Sequence, residues 1–118
     1  MASSKPETFI RKTATSLPEV EVGAVCDKVA FKAGKKNFLF LGNDRNGYDL
    51  KLKLKDSLEE ANELAAGQAG AVSVGSTGWV ELNFPQNKSL PQPVLVRWIK
   101  ESYRLLVPKK ISSKLGTH

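Results

Sequence analysis

Tyr48-Asp49-Leu50-Lys51-Leu52-Lys53-Leu54-Lys55 alternates strictly between apolar and polar side chains. A two-residue period places successive side chains on opposite faces of an extended chain, so this segment is predicted to be a half-buried strand. Leu50, Leu52 and Leu54 are expected to point into a core, with Lys51, Lys53 and Lys55 projecting together on the other side. A strand with one wet face belongs to an antiparallel sheet covered on a single side, because parallel sheets bury both faces.

Upstream, Lys28 to Ala33 and Lys36 to Leu41 are strand-like runs separated by Gly34-Lys35, which predicts a hairpin. The polar stretch from Gly42 to Gly47 reads as a loop into the lysine-bearing strand. Downstream, Asp56 and Glu59 are a candidate helix cap before Leu58, Ala61, Leu64 and Ala65, a helical pattern that ends near Gly67. Ala71 to Val74 and Trp79 to Phe84 read as a second hairpin across Gly75 to Gly78. Pro91 and Pro93 then introduce a helix in which Val94, Leu95, Trp98, Ile99, Ser102, Leu105 and Leu106 form one broad stripe, and Pro108 ends it. At the other end, Ser4 and Glu7 match a capping box for a helix carrying Phe9, Ile10, Ala14 and Leu17, which Pro18 stops.

The predicted order is helix, hairpin, strand, helix, hairpin, helix. It contains no βαβ repeat that would force a parallel sheet, so the fold class is α+β: an antiparallel sheet of two hairpins plus a strand, packed against N- and C-terminal helices. Residues 1–108 form one domain. Residues 109–118, with Lys109, Lys110 and Lys114, read as a basic tail with too little apolar material to pack.

A chain of 118 residues can bury a single core unaided, and 41% hydrophobic with 25% charged residues is an ordinary globular balance. Eighteen basic against 12 acidic residues leave a net charge of +6, which favours anionic partners. Cys26 is the single cysteine, so an internal disulfide and a multi-thiolate zinc site are excluded, and a reducing, cytoplasmic setting is expected. Met1 to Thr8 holds no apolar leader core, and Phe38 to Leu41 is far too short to span a bilayer, so no membrane association is expected.

Leu17-Pro18-Glu19-Val20-Glu21, then Ala30-Phe31-Lys32 with Lys35-Lys36 and Phe38, then Leu50-Lys51-Leu52 stand in an order that resembles the MmcQ/YjbR family. Gly78-Trp79-Val80, Glu81-Leu82 and Ile99-Lys100-Glu101-Ser102-Tyr103 are similar to that family's C-terminal signature. The resemblance covers roughly residues 6–108. It implies a frataxin-like (CyaY-like) fold and a double-wing mode of DNA binding, in which two hairpins flank a surface. Val25-Cys26-Asp27 departs from the Gly-His-Pro-like segment of many relatives, which removes the basis for any role attached to it.

Catalytic raw material is scarce. His118 is the single histidine and stands at the last position, so a Ser-His-Asp triad or a histidine metal centre has no components. Glu7 and the Glu59, Glu60, Glu63 group are too diluted by lysine for an iron surface, and Cys26 beside Lys28 has Asp27 against it and no base. No enzyme activity, cofactor or metal is therefore expected. Gly75 to Gly78 is read as a turn and not as an anion cradle. Trp79 and Trp98 lie in apolar patterns and are expected in the core, with base stacking the alternative. Tyr103 is expected to tie the last helix to a loop through its hydroxyl.

The lysines are the informative polar group. Lys51, Lys53 and Lys55 share one strand face, Lys28 and Lys32 share a parity on the first hairpin, and Lys35 and Lys36 flank its turn. A solvated sheet face guarded by lysine accounts for them without function. The functional reading is a phosphate-contacting surface formed by these seven lysines, with nucleic acid, DNA above all, as partner. The alternative is a non-enzymatic protein-interaction or regulatory adaptor, with a protein partner. A small-ligand site of unfamiliar type is a third reading, since pocket geometry is invisible in a sequence.

Overall fold

The computed structural model of the chain describes residues 6–25, 27–43, 47–67, 71–85, 88 and 90–115. In chain order its elements are α1 (Pro6–Thr15), β1 (Glu21–Val25), β2 (Lys28–Ala33), β3 (Lys36–Asn43), β4 (Gly47–Lys53), α2 (Leu58–Gly67), β5 (Val72–Val74), β6 (Trp79–Pro85), α3 (Gln92–Leu106) and α4 (Lys109–Ser112), followed by a 3-10 turn at Ser113–Leu115. Among these residues the strands form one antiparallel sheet in the order β1-β2-β3-β4-β6-β5. The α+β class, both hairpins and the flanking N- and C-terminal helices agree with the sequence reading.

The leucines of β4 set the inner face. Leu50 lies between Leu41 and Leu82, and Leu52 between Leu39 and Val80, giving continuous apolar rows across three strands. α3 closes over them. Leu95, Trp98, Ile99, Ser102 and Tyr103 are its buried residues, spaced at the three- and four-residue intervals of one helical face. α1 adds Ile10 and Ala14 to the same cluster, and all helices contributing to it lie on one side of the sheet. The Phe38 and Tyr103 rings meet edge to face at 5.1 Å, and the Tyr103 hydroxyl donates to the Pro18 carbonyl at 2.6 Å, the predicted tie to a loop.

Several local expectations are corrected. Glu21–Val25 is an edge strand that the sequence reading left out, because all five residues are exposed and leave no burial pattern to read. β3 runs on to Asn43 and β4 begins at Gly47, so Gly42, Asn43 and Gly47 belong to strands. The intervening residues 44–46 lie outside the described set. β4 stops at Lys53; the Leu54 amide still donates to the Gly78 carbonyl at 2.9 Å, in register with β6, and Lys55 lies beyond the sheet. The register of β2 against β3 shifts between Phe31 and Lys32, and this bulge lets consecutive Phe38 and Leu39 both be buried.

The helix caps also differ from the local readings. Ser4 lies outside the described residues, while Glu7 accepts the Asn43 side-chain amide at 2.7 Å. Ahead of α2, the Asp56 and Glu59 pairing gives way to Glu101 of α3. Its carboxylate accepts the Lys55 amide at 2.7 Å, the Ser57 amide at 3.1 Å and the Ser57 hydroxyl at 2.7 Å. The segment read as a tail contains α4, with Ser112 buried and Ile111 and Leu115 packed against the core. One isoleucine suffices there because it fits under the first hairpin turn: a Cβ on Gly34 would lie 2.6 Å from Ile111 Cδ1.

Candidate nucleic-acid interface

The parity that turns the leucines of β4 inward turns Asp49, Lys51 and Lys53 outward, onto a sheet face that none of the described helices covers. Register then fixes their neighbours. Lys51 lies between Phe40 of β3 and Glu81 of β6, Lys53 lies opposite Trp79, and Asp49 lies opposite Gly42 and Asn83. On β2, Ala30 is level with Phe40, and Lys32 pairs with Asn37 on one side and Glu21 on the other.

Trp79 is half-buried on this open face and not in the core, which corrects the expectation for it; Trp98 is fully buried as expected. The physical reason is phase. Val80, Leu82 and Phe84 point inward, so Trp79 must point out. Its ring packs beside the equally half-buried Phe40, with centroids 6.1 Å apart and planes tilted by 50°, and Lys51 Nζ lies 5.7 Å from the centre of the indole. The face thus carries a small aromatic island with ammonium groups at its edges.

Of the seven lysines singled out in the sequence, Lys28, Lys32, Lys51 and Lys53 share this face. Lys28 is ion-paired with Asp49, whose carboxylate reaches it across Gly42. The carboxylate lies close over the bare glycine: a Cβ on residue 42 would lie 2.6 Å from Asp49 Oδ1 and push that side chain aside. Lys35 and Lys36 are exposed at the end of the sheet. Gly34 and Lys35 have φ of 57° and 69°, the two left-handed residues of a tight hairpin turn, and Lys36 pairs with the inward-facing Ala33. Lys55 is exposed beyond β4. Cross-strand carboxylates temper the positive charge, because Glu21, Asp49 and Glu81 each sit on the same face as a lysine partner.

The end of β4 that presents Lys53 is anchored from behind. The last β3–β4 pair is Leu39 with Leu52; beyond it the buried Ser102 hydroxyl donates to the Phe38 carbonyl at 2.5 Å and accepts the Lys53 amide at 3.0 Å. Burial pushes the Glu101 carboxyl up, but the amides of Lys55, Ser57 and Asp56 and the Ser57 hydroxyl outweigh it and hold it below the usual range. Glu60 takes Arg97 in a two-pronged pair at 2.8 and 3.0 Å and accepts the Trp98 indole at 2.9 Å, and these hydrogen bonds depress its carboxyl. Both carboxylates are therefore occupied in joining α2 to α3.

Gly75 to Gly78 forms the expected hairpin turn, with the Gly75 amide donating to the Trp79 carbonyl at 2.8 Å. On the helix side, Phe9, Pro93, Val96, Arg97, Lys100 and Arg104 line an open groove of about 620 Å³ that the sequence reading did not anticipate. Among the described residues no three His, Cys, Asp or Glu side chains are grouped to hold a metal ion. No described helix is long and apolar enough to cross a membrane.

Among solved structures the chain is similar to the crystal structure of Deinococcus radiodurans protein DR2400, whose domain is DUF419. The two share 19% identity over 81% of this chain and 74% of that one, with a TM-score of 0.65, a likeness that bears on the fold. No curated protein matches. The family model described as YjbR matches residues 15–105, most of the 118-residue sequence, and the MmcQ/YjbR resemblance read from the motifs agrees with it. The chain belongs to the YjbR family.

Proposed function

We propose that the chain is a non-enzymatic, cytoplasmic nucleic-acid-binding protein, with DNA as its partner, that contacts phosphates through the open sheet face and the adjoining hairpin ends. The observation that carries this reading is the position of Lys51 and Lys53 on the uncovered side of β4. The two hairpins, β2 with β3 and β5 with β6, stand on either side of β4. Their turns lie at the end where β4 finishes, which suits the double-wing mode implied by the resemblance. Lys35, Lys36 and Lys55 add positive charge at that end, and the net charge of +6 supports long-range attraction to a polyanion.

Asp49 and Glu81 on the same face favour one second reading, an adaptor that docks a protein of mixed charge. A DNA titration over several salt concentrations separates the two. The paired replacement of Lys51 and Lys53 by glutamine weakens DNA binding if the lysines contact phosphates, whereas absence of DNA binding by the unaltered chain moves the adaptor reading ahead.

A further inference from the structure

Resting on the nucleic-acid reading above, we infer that the open face takes single-stranded nucleic acid, with Trp79 and Phe40 as stacking surfaces for unpaired bases and Lys32, Lys51 and Lys53 as phosphate contacts. Burial supplies the first argument. Two large aromatic side chains lie side by side, each partly exposed, on the sheet face turned away from the core. In a duplex the base faces are stacked on one another, so exposed rings gain little from it; a single strand offers a free π-face with every base.

Charge supplies the second. A face selected for duplex DNA by charge alone would be cleared of acids, yet Glu21, Asp49 and Glu81 lie on this one. Their presence penalises the dense charge of a duplex most. A single strand has a lower charge density and releases fewer counterions per phosphate contact, so it is penalised less. Lys53 lies opposite an indole and not a carboxylate, which places an ammonium group directly beside the stacking surface.

The third argument concerns access to the ring. Lys51 Nζ lies 5.7 Å from the Trp79 centroid and partly covers it in the free protein. An exposed cation–π contact of this kind is weaker than a stacked base. A base displaces the lysine, and its ammonium group moves on its long stem to the adjoining phosphate. The contact that shields the indole in the free chain thereby becomes a phosphate contact in the complex.

The test uses the full chain with a fluorescein-labelled oligo-deoxythymidine strand, and in parallel the same strand annealed to its complement. Trp79→Leu and Phe40→Leu are each expected to lower affinity for the single strand by roughly five- to a hundred-fold, the loss of one stacked base, with the salt dependence unchanged. Binding of an unlabelled strand is expected to quench part of the tryptophan emission, and Trp79→Leu abolishes that quenching because the remaining Trp98 is buried behind the sheet. Unchanged thermal unfolding of both variants confirms intact folds; should one melt early, the other and the quenching of the unaltered chain decide. Duplex binding that depends on Lys51 and Lys53, with no preference for the single strand and no quenching, overturns the stacking inference and leaves the proposed function standing. Failure to bind either probe overturns both.

Discussion

Ser102 accepts the backbone amide of Lys53 at 3.0 Å, so the residue that presents an ammonium group to solvent is fixed from the core side by α3. The same hydroxyl donates to the Phe38 carbonyl, replacing the rung that β3 and β4 lack after Leu39 and Leu52. A buried side chain thus completes the sheet where its ladder opens, directly behind the proposed binding face.

Replacing Ser102 with alanine leaves the Phe38 carbonyl and the Lys53 amide without this partner in a site closed to water. An orphaned buried polar group costs about 1–3 kcal/mol. Ser102→Ala is therefore expected to lower unfolding free energy by about 2 kcal/mol in urea titrations. A loss below about 0.5 kcal/mol, the range of neutral surface changes, would show that the hydroxyl does not close the ladder.

How much of this was legible in the sequence depended on whether burial left a periodic trace. β4 alternates, so its faces were readable residue by residue, and Pro91 and Pro108 bracket the α3 stripe. β1 has no buried side chain and pairs through its backbone, which periodicity cannot detect. Phe38 to Leu41 is apolar throughout, so neither the bulge nor the outward turn of Phe40 could be read from it. Trp79 is different. Its phase against Val80, Leu82 and Phe84 marks it as outward, whereas its apolar surroundings and the usual burial of tryptophan point to the core. The capping carboxylate of Glu101 stands 44 residues from Ser57, beyond any local motif.

Acid should weaken the fold through that carboxylate. Its depressed titration means that the unfolded chain takes up the proton first, so the stabilisation is present above the ordinary carboxylate range and is lost as pH falls through the folded-state value. Glu101→Gln is expected to be less stable than the parent at neutral pH and to lose less stability on acidification. Glu60, also depressed, retains part of the acid sensitivity in the variant. Urea midpoints measured from neutral to acidic pH check this, and parallel profiles for parent and variant would contradict it.

Asp49 holds Lys28 in an ion pair on the open face. Asp49→Asn keeps the size of the side chain, removes its charge and releases an ammonium group toward solvent. DNA affinity should rise, and the slope of log affinity against log salt should steepen by up to about 0.9 for duplex DNA if Lys28 gains one phosphate. The pair is part-buried at the surface, where one ion pair contributes about 0–1 kcal/mol, so thermal unfolding should move by only a few degrees. An unchanged affinity would place the binding surface away from Asp49 and Lys28.

The paired replacement Lys51→Gln and Lys53→Gln tests the proposed surface most directly, because both side chains project from one strand and neither supplies core packing. Loss of two phosphate contacts should lower duplex affinity and reduce the salt slope by about 1.8, twice the roughly 0.9 of each contact. Net charge must be held constant in the comparison, since removing any two positive charges weakens attraction to a polyanion. Lys109 and Lys110 make a poor control, because α4 packs beneath the first hairpin turn through Ile111, close to Lys35 and Lys36. Arg11 and Lys12 serve better: both are exposed on α1, in the layer on the opposite side of the sheet. Replacing that pair with glutamine should leave the slope near its parental value, while the β4 pair flattens it. Equal losses from both pairs would reduce the interaction to net charge and remove the open face as its site.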